Sequence, residues 1–268
     1  DYNDGFVLPM AIGRHVAVAF RARDDGLVRA WTLHAGERRE ARLNELDPEH
    51  RGRGWFDYVA GTLWALRGAG VEPPGLDLAI VADLPVGAGL SSSAALELAV
   101  ARAASAAAGW TWDAPVMARL AQRAENAYVG TSCGVMDQFA AACAHEGHAL
   151  LLDCRSLAVR LVALPPHAAF VVMDTGVRRR LVSSEYNDRR AACERAVARL
   201  QAGGRDVQAL RDADLDDLAW LKGRVDEVTW RRAAHVVAEV RRPEACASAL
   251  ERGDLAAERA PRAVAGVV

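Results

Sequence analysis

The period of the apolar residues changes several times along this chain, and the changes divide it into short strands and helices. Residues 6–12, 15–22 and 26–34 are short apolar runs separated by turn signals at Gly13-Arg14 and Asp24-Asp25-Gly26, so each is expected as a strand. From Phe56 to Arg67 the apolar members Tyr58, Val59, Leu63, Trp64 and Leu66 fall at helical spacing. Leu76–Ala82 has the length and content of a strand. The alanine-rich stretch to Ala108 predicts a helix from about residue 92. Asp113-Ala-Pro115 predicts a helix start, with aspartate as cap and proline at an early position, running to about Tyr128. A glycine-bearing loop is expected over 129–136 and a short helix from Asp137 to Ala144. Strands are expected at 148–153, 158–164 and 168–174, and a long helix at 183–202. Residues 205–255 are helical in pattern, with breaks near Gly223 and Pro243. Strands and helices mix without a regular βαβ period, which predicts an α+β fold. Pro165-Pro166 is the best boundary signal, giving expected lobes of 1–164 and 165–268. No internal repeat or low-complexity linker occurs.

One segment bears on chemistry more than any other: Leu84-Pro-Val-Gly87-Ala-Gly89-Leu90-Ser91-Ser92-Ser93-Ala94-Ala95-Leu-Glu97. It follows the strand 76–82 and leads into the alanine-rich helix. Two glycines let a backbone approach an anion closely. Serines at a helix start cap free N–H groups or turn their hydroxyls to a ligand. The helix N-terminus adds partial positive charge. Together these are the parts of a phosphate cradle. A P-loop is excluded because no lysine follows the second glycine. A dinucleotide fingerprint is excluded because Ser92 stands at the third glycine position. A capped helix after a tight turn is the simpler alternative.

Composition narrows the class. The chain has 268 residues, 51% hydrophobic and 25% charged, which suits a globular protein of one or two domains. A net charge of −2 gives no electrostatic case for nucleic acid or an anionic membrane, so neither partner is expected. The five cysteines are odd in number and form no Cys-x-x-Cys pair, which points to reduced thiols and a cytoplasmic location. No apolar stretch is long enough to span a bilayer, and no signal peptide is evident. Residue 1 is Asp, and residues 258–268 show no clear period.

Four segments resemble the galactokinases, within the GHMP superfamily of small-molecule kinases that also holds homoserine and mevalonate kinases. Asp1-Tyr2-Asn3-Asp4-Gly5-Phe-Val-Leu-Pro-Met10 resembles the second half of the galactokinase sugar motif. Residues 84–97 resemble the superfamily's phosphate motif. Glu125-Asn126 with Gly130-Thr-Ser-Cys-Gly134-Val-Met-Asp137-Gln138 resembles the catalytic segment. Asp174-Thr175 with Ser183-Ser184-Glu185-Tyr186-Asn187 and Arg189-Arg190 resembles the segment closing over the sugar. The resemblance runs from residue 1 to roughly 255. The arginine and Gly-Glu-His-Thr that normally precede Asp-Tyr-Asn, and the family's third glycine-rich motif, are not in this sequence. The stretch therefore reads as a fragment with a partial C-terminal lobe and weak or no kinase activity of its own.

The resemblance implies a two-lobed GHMP kinase fold and ATP-dependent phosphorylation of the C1 hydroxyl of D-galactose. Kinases of N-acetylgalactosamine or arabinose, or a non-catalytic sugar sensor, are the alternatives. It implies that Asp137 is the base that orients and deprotonates the acceptor hydroxyl. Glu125 and Ser93 (or Ser92) would hold Mg2+, and Gly87, Gly89, Leu90, Ser91, Ser92, Ser93 and Ala94 the phosphates of ATP. Trp55 and Tyr58 would lie near the adenine, and Asp1, Tyr186 and Asp174 would bind the sugar. A monomer is expected. Without the resemblance, Asp137 reads as a helix cap, Glu125 as a solvated helix face, Asp1 as a loose terminus, Tyr186 as half-buried core, and Trp55 and Tyr58 as core-facing.

Overall fold

The computed structural model describes residues 1–85, 87–173 and 184–254. Within them the protein is α+β and divides into two compact units. One comprises Asp1–Met10, Ala144–Val171 and residues 184–254. The other comprises the described residues of Ala11–Cys143 with Val172 and Met173. Pro165-Pro166 falls inside the first unit, not at a boundary. The chain passes between units near residues 10 and 143, because the hairpin before the two prolines pairs with the N-terminal strand.

The second unit is built on a four-stranded sheet. Its strands are β2 (Val16–Arg23), β3 (Leu27–Thr32), β4 (Glu37–Arg42) and β5 (Gly75–Ala82), in the order β2-β5-β3-β4. β3 and β5 run parallel, and the other pairs are antiparallel. Alternation along β5 buries Leu76, Leu78 and Ile80 and turns Asp77 outward, where Arg21 and Arg23 hold it. β4, Glu-Arg-Arg-Glu-Ala-Arg, gives no apolar signal in the sequence and was not expected. As an edge strand it buries only Ala41 and keeps its charges in the pairs Arg29–Glu40 and Arg39–Glu37.

Helices cover the buried face. α1 (Phe56–Arg67) buries ten of its twelve residues, so it is a central core helix and not an amphipathic surface one. α2 (Ser92–Ala107) packs beside it and against β2. α3 (Ala114–Arg123) opens as its sequence indicates, with the Asp113 carboxylate accepting from Val116 N at 3.0 Å and Pro115 in the first turn. It does not stay α-helical to Tyr128. Residues Ala124–Val129 form a π-helical turn, closed by Gly130 at φ +91°, whose N–H donates to the Glu125 carbonyl at 3.0 Å. Tyr128 is fully buried against α1, at a point where Gly61 leaves no room for a Cβ. α4 (Met136–Cys143) completes the layer.

The first unit has a three-stranded antiparallel sheet, β1 (Phe6–Val7), β6 (His148–Asp153) and β7 (Val159–Ala163), in the order β1-β6-β7. The expected strand 6–12 shrinks to β1 plus one bridge, Met10 to Ala149, because Pro9 cannot donate to a ladder. The strand expected over 168–174 does not form over 168–173, where Phe170, Val171, Val172 and Met173 are exposed. α5 (Ser184–Ala202), α6 (Leu215–Leu221), α7 (Glu227–Glu239) and α8 (Arg242–Glu251) complete this unit. Lys222-Gly223 breaks the helical region as expected, and the expected break near Pro243 falls at Val240-Arg241; Pro243 itself lies in the first turn of α8, where its missing N–H has no intrahelical partner to lose.

Candidate active site

In the second unit, four elements bring together the chemistry-bearing side chains of two sequence motifs. β5 ends at Ala82, and the glycine-rich turn carries Gly87 and Gly89 at φ +73° and +77°. Both values favour glycine over any residue with a Cβ. Ser91 follows, also left-handed at φ +55°, as the N-cap of α2. That conformation costs a non-glycine residue on the order of 1 kcal/mol. Ser91 makes no side-chain cap bond; its hydroxyl lies near the Asp137 carboxylate, where it favours the charged form. At the second position of α2 the Ser93 hydroxyl, nearly buried, lies near the Glu125 carboxylate. The two serines thus face two acids of the segment 125–138. Ser92 lies between them at the first position of α2, followed by Ala94, which is fully buried. Leu90 precedes them at the end of the turn.

Glu125 is no solvated helix residue: 4% of it is exposed. The π turn is what brings it inward, since widening a helix by one residue rotates the following side chains. Gln138 Nε2 donates to Glu125 Oε2 at 2.8 Å, and the Cys133 thiol also bonds the carboxylate. The loop bearing Cys133 is held by Gln122 and Asn126, whose amides donate to the Cys133 carbonyl at 3.4 and 3.2 Å. Burial, then the neighbouring Asp137 charge, pushes the Glu125 carboxyl up to about 7. Burial also raises Asp137, opposed by the nearby Ser91 hydroxyl. The Tyr58 hydroxyl is driven well up by burial and by the charges of Glu125 and Glu97. Trp55, also partly buried, donates its indole N–H to Glu37 Oε2 at 3.2 Å and meets Phe56 edge-on.

Glu97, which closes the segment 84–97 in the sequence, also belongs to the cluster. It is fully buried and accepts from Gln138 Nε2 at 3.3 Å. Its spacing of four from Ser93 on one helix face was the available signal. The donor set suits a magnesium ion. Ser93 and Glu125 offer hard oxygens already in contact. Among the described residues no three His, Cys, Asp or Glu side chains are grouped to hold a metal. A cation here would complete its shell with water and phosphate oxygens.

The first unit holds the N-terminal motif. The Tyr2 ring packs edge-on against Tyr186 of α5, centroids 5.4 Å apart, and leaves Tyr186 half-buried. Asn3 donates to Cys193 Sγ at 3.7 Å. Asp1 accepts from Tyr2 N at 2.8 Å and, through its carbonyl, from Asp4 N at 3.0 Å, so it is part of a turn and not a loose end. Arg211 fixes the following residues: it donates to the Asp4 carbonyl at 2.8 Å, pairs with Asp153, and lies 4.3 Å from the Phe6 ring centroid. Asp174 lies outside the described residues.

These two arrangements match known proteins. Residues 57–145 match the GHMP kinases N-terminal domain. The chain carries that domain. Residues 1–22 match the galactokinase galactose-binding signature. The galactokinase of Roseiflexus sp. (strain RS-1) is 46% identical over 257 residues, 96% of this chain and 65% of the relative. That of Chloroflexus aurantiacus is 44% identical over 255 residues, 95% of this chain and 65% of the relative. Lactococcus lactis galactokinase, solved in complex with galactose, superposes with a TM-score of 0.85 at 31% identity, covering 95% of this chain and 66% of that one. The fold is that of the GHMP kinases. The chain spans about 65% of the length of the curated relatives it matches.

Proposed function

We propose that the protein is an ATP-dependent galactokinase, moving the γ-phosphoryl group of ATP to the C1 hydroxyl of D-galactose. The observation that carries this reading is the presence, in one chain, of the galactose-binding signature over 1–22 and the kinase domain over 57–145. The galactokinase relatives support the sugar.

In this reading Gly87, Gly89, Leu90, Ser91, Ser92, Ser93 and Ala94 cradle the phosphates, where close backbone and a helix N-terminus favour anions. Trp55 and Tyr58 serve the adenine side. Ser93 and Glu125 hold magnesium, which when bound neutralises charge on the phosphate oxygens. Asp137 accepts the proton of the acceptor hydroxyl. Its burial makes it a stronger base than an ordinary aspartate. Asp1, Tyr186 and Asp174 bind sugar hydroxyls. The same reading makes the protein a cytoplasmic monomer. The five scattered cysteines, none of them in a Cys-x-x-Cys pair, support a reducing compartment, and among the described residues no helix is long and apolar enough to cross a membrane.

The test is ADP release from ATP and Mg2+ with a panel of free sugars, on the chain itself and on a version extended to the length of its relatives. Galactose-dependent release with a galactose 1-phosphate product is expected from the extended version. Release independent of sugar, or a preference for another sugar, would overturn the proposal.

A further inference from the structure

Two buried oxygens that lack a hydrogen-bond partner sit on neighbouring side chains of the cluster: Glu97 Oε1 and Gln138 Oε1. Both residues are fully buried. The other Glu97 oxygen accepts from Gln138 Nε2 at 3.3 Å, and the same nitrogen donates to Glu125 Oε2 at 2.8 Å. Buried polar atoms without partners are rare and costly, so two on one contacting pair ask for a shared cause. An ionised Glu97 offers only acceptors and leaves both oxygens unpaired. A Glu97 with its proton on Oε1 has a donor, and Gln138 Oε1 is an acceptor in need of one. A carboxylic acid and an amide side by side form two bonds at once, amide N–H to acid carbonyl and acid O–H to amide oxygen. Both unpaired oxygens are then satisfied, and the second amide hydrogen stays on Glu125.

We propose that Glu97 and Gln138 form this acid–amide pair, and that Gln138 is a positioning residue that fixes the Glu125 carboxylate for a divalent cation. Burial, with the Glu125 and Asp137 charges, pushes the Glu97 carboxyl well above the usual range, the direction the pair requires. The metal role of Glu125 rests on the kinase reading; the pair itself does not.

Two measurements on Glu97→Gln, Glu97→Met, Gln138→Met and the double Met variant separate these points. The first is calorimetry of ADP binding with and without Mg2+. Glu97→Gln can make the same two bonds, so its magnesium-dependent affinity is expected within about twofold of the parent chain. Glu97→Met and Gln138→Met are expected to lose about 10-fold or more, the usual effect of removing a residue that orients a metal ligand. Their magnesium-free ADP affinity should hold. The second is thermal unfolding without ligand. Glu97→Gln should unfold no lower than the parent, each single Met variant lower, and the double Met variant at less than the summed loss. A Glu97→Gln variant as impaired as Glu97→Met in both measurements, or additive Met effects, would overturn the pair. Normal magnesium dependence in Gln138→Met would overturn the positioning role while leaving the kinase reading intact. A parent chain without magnesium-dependent ADP binding would overturn the kinase reading and the positioning role together, while unfolding would still judge the pair.

Discussion

Replacing Glu125 with glutamine should stabilise this protein above neutral pH and change little in acid. Burial, then the Asp137 charge, raises the Glu125 carboxyl from its ordinary 4.5 to about 7 in the folded protein. The unfolded chain releases that proton near 4.5. Between those values the folded state binds more protons, so stability falls as pH rises through the interval. The difference corresponds to about 3 kcal/mol, fully lost by pH 8. Glutamine keeps the shape and can still accept from Gln138 and Ser93, without the charge. Glu125→Gln should therefore raise Tm at pH 8 by roughly 6–12 °C, at 2–4 °C per kcal/mol. At pH 4.5 the gain should be under about 1 kcal/mol, because the parent is then protonated as well. The assay is thermal unfolding of both proteins from pH 4.5 to 8, with and without Mg2+ and ADP. Magnesium with ADP should recover part of the loss at pH 8 for the parent only. A gain in Tm that does not vary with pH would refute a buried, charge-strained Glu125.

Asp137→Asn in a version extended to the length of the relatives should lower galactose phosphorylation by about 10²-fold or more, with ADP affinity kept; full turnover would remove Asp137 from the chemistry. Gly61→Ala sets a helix-propensity gain of about 1 kcal/mol against overpacking of about 1–3 kcal/mol. Because the new Cβ would lie 3.0 Å from Tyr128 Cβ and 3.1 Å from its Cγ, both fixed in the core, a net loss in Tm is expected, and a gain would contradict the packing. Arg211→Ala should cost about 2–4 kcal/mol in denaturant unfolding near pH 7, since it strands the mostly buried Asp153 and frees Asp4. The Arg211 guanidinium holds Asp153 down to about 2, so that contribution is present above pH 3.8 and fades as pH falls through 2. A variant as stable as the parent at neutral pH would refute it.

The sequence alone determined where most elements lie, because period, caps and breakers act over a few residues. Asp113 with Pro115 set a helix start, Lys222-Gly223 set a break, and the strand–glycine turn–serine–helix order of residues 76–108 was legible. Local pattern missed β4, since charged residues form a strand only when a neighbour supplies the ladder. It also overextended the strand 6–12, where a ladder is interrupted at Pro9. Tertiary structure decided the rest of the site. Glu125 and Glu97 look like ordinary helix-surface acids in the sequence, and only the π turn and the packing of α2 and α4 sink them out of water. Ser91 lies near Asp137 and Ser93 near Glu125, residues more than thirty positions apart in the chain. Burial then raises the carboxyls, and burial depends on every element packed around a side chain, which no stretch of sequence carries by itself.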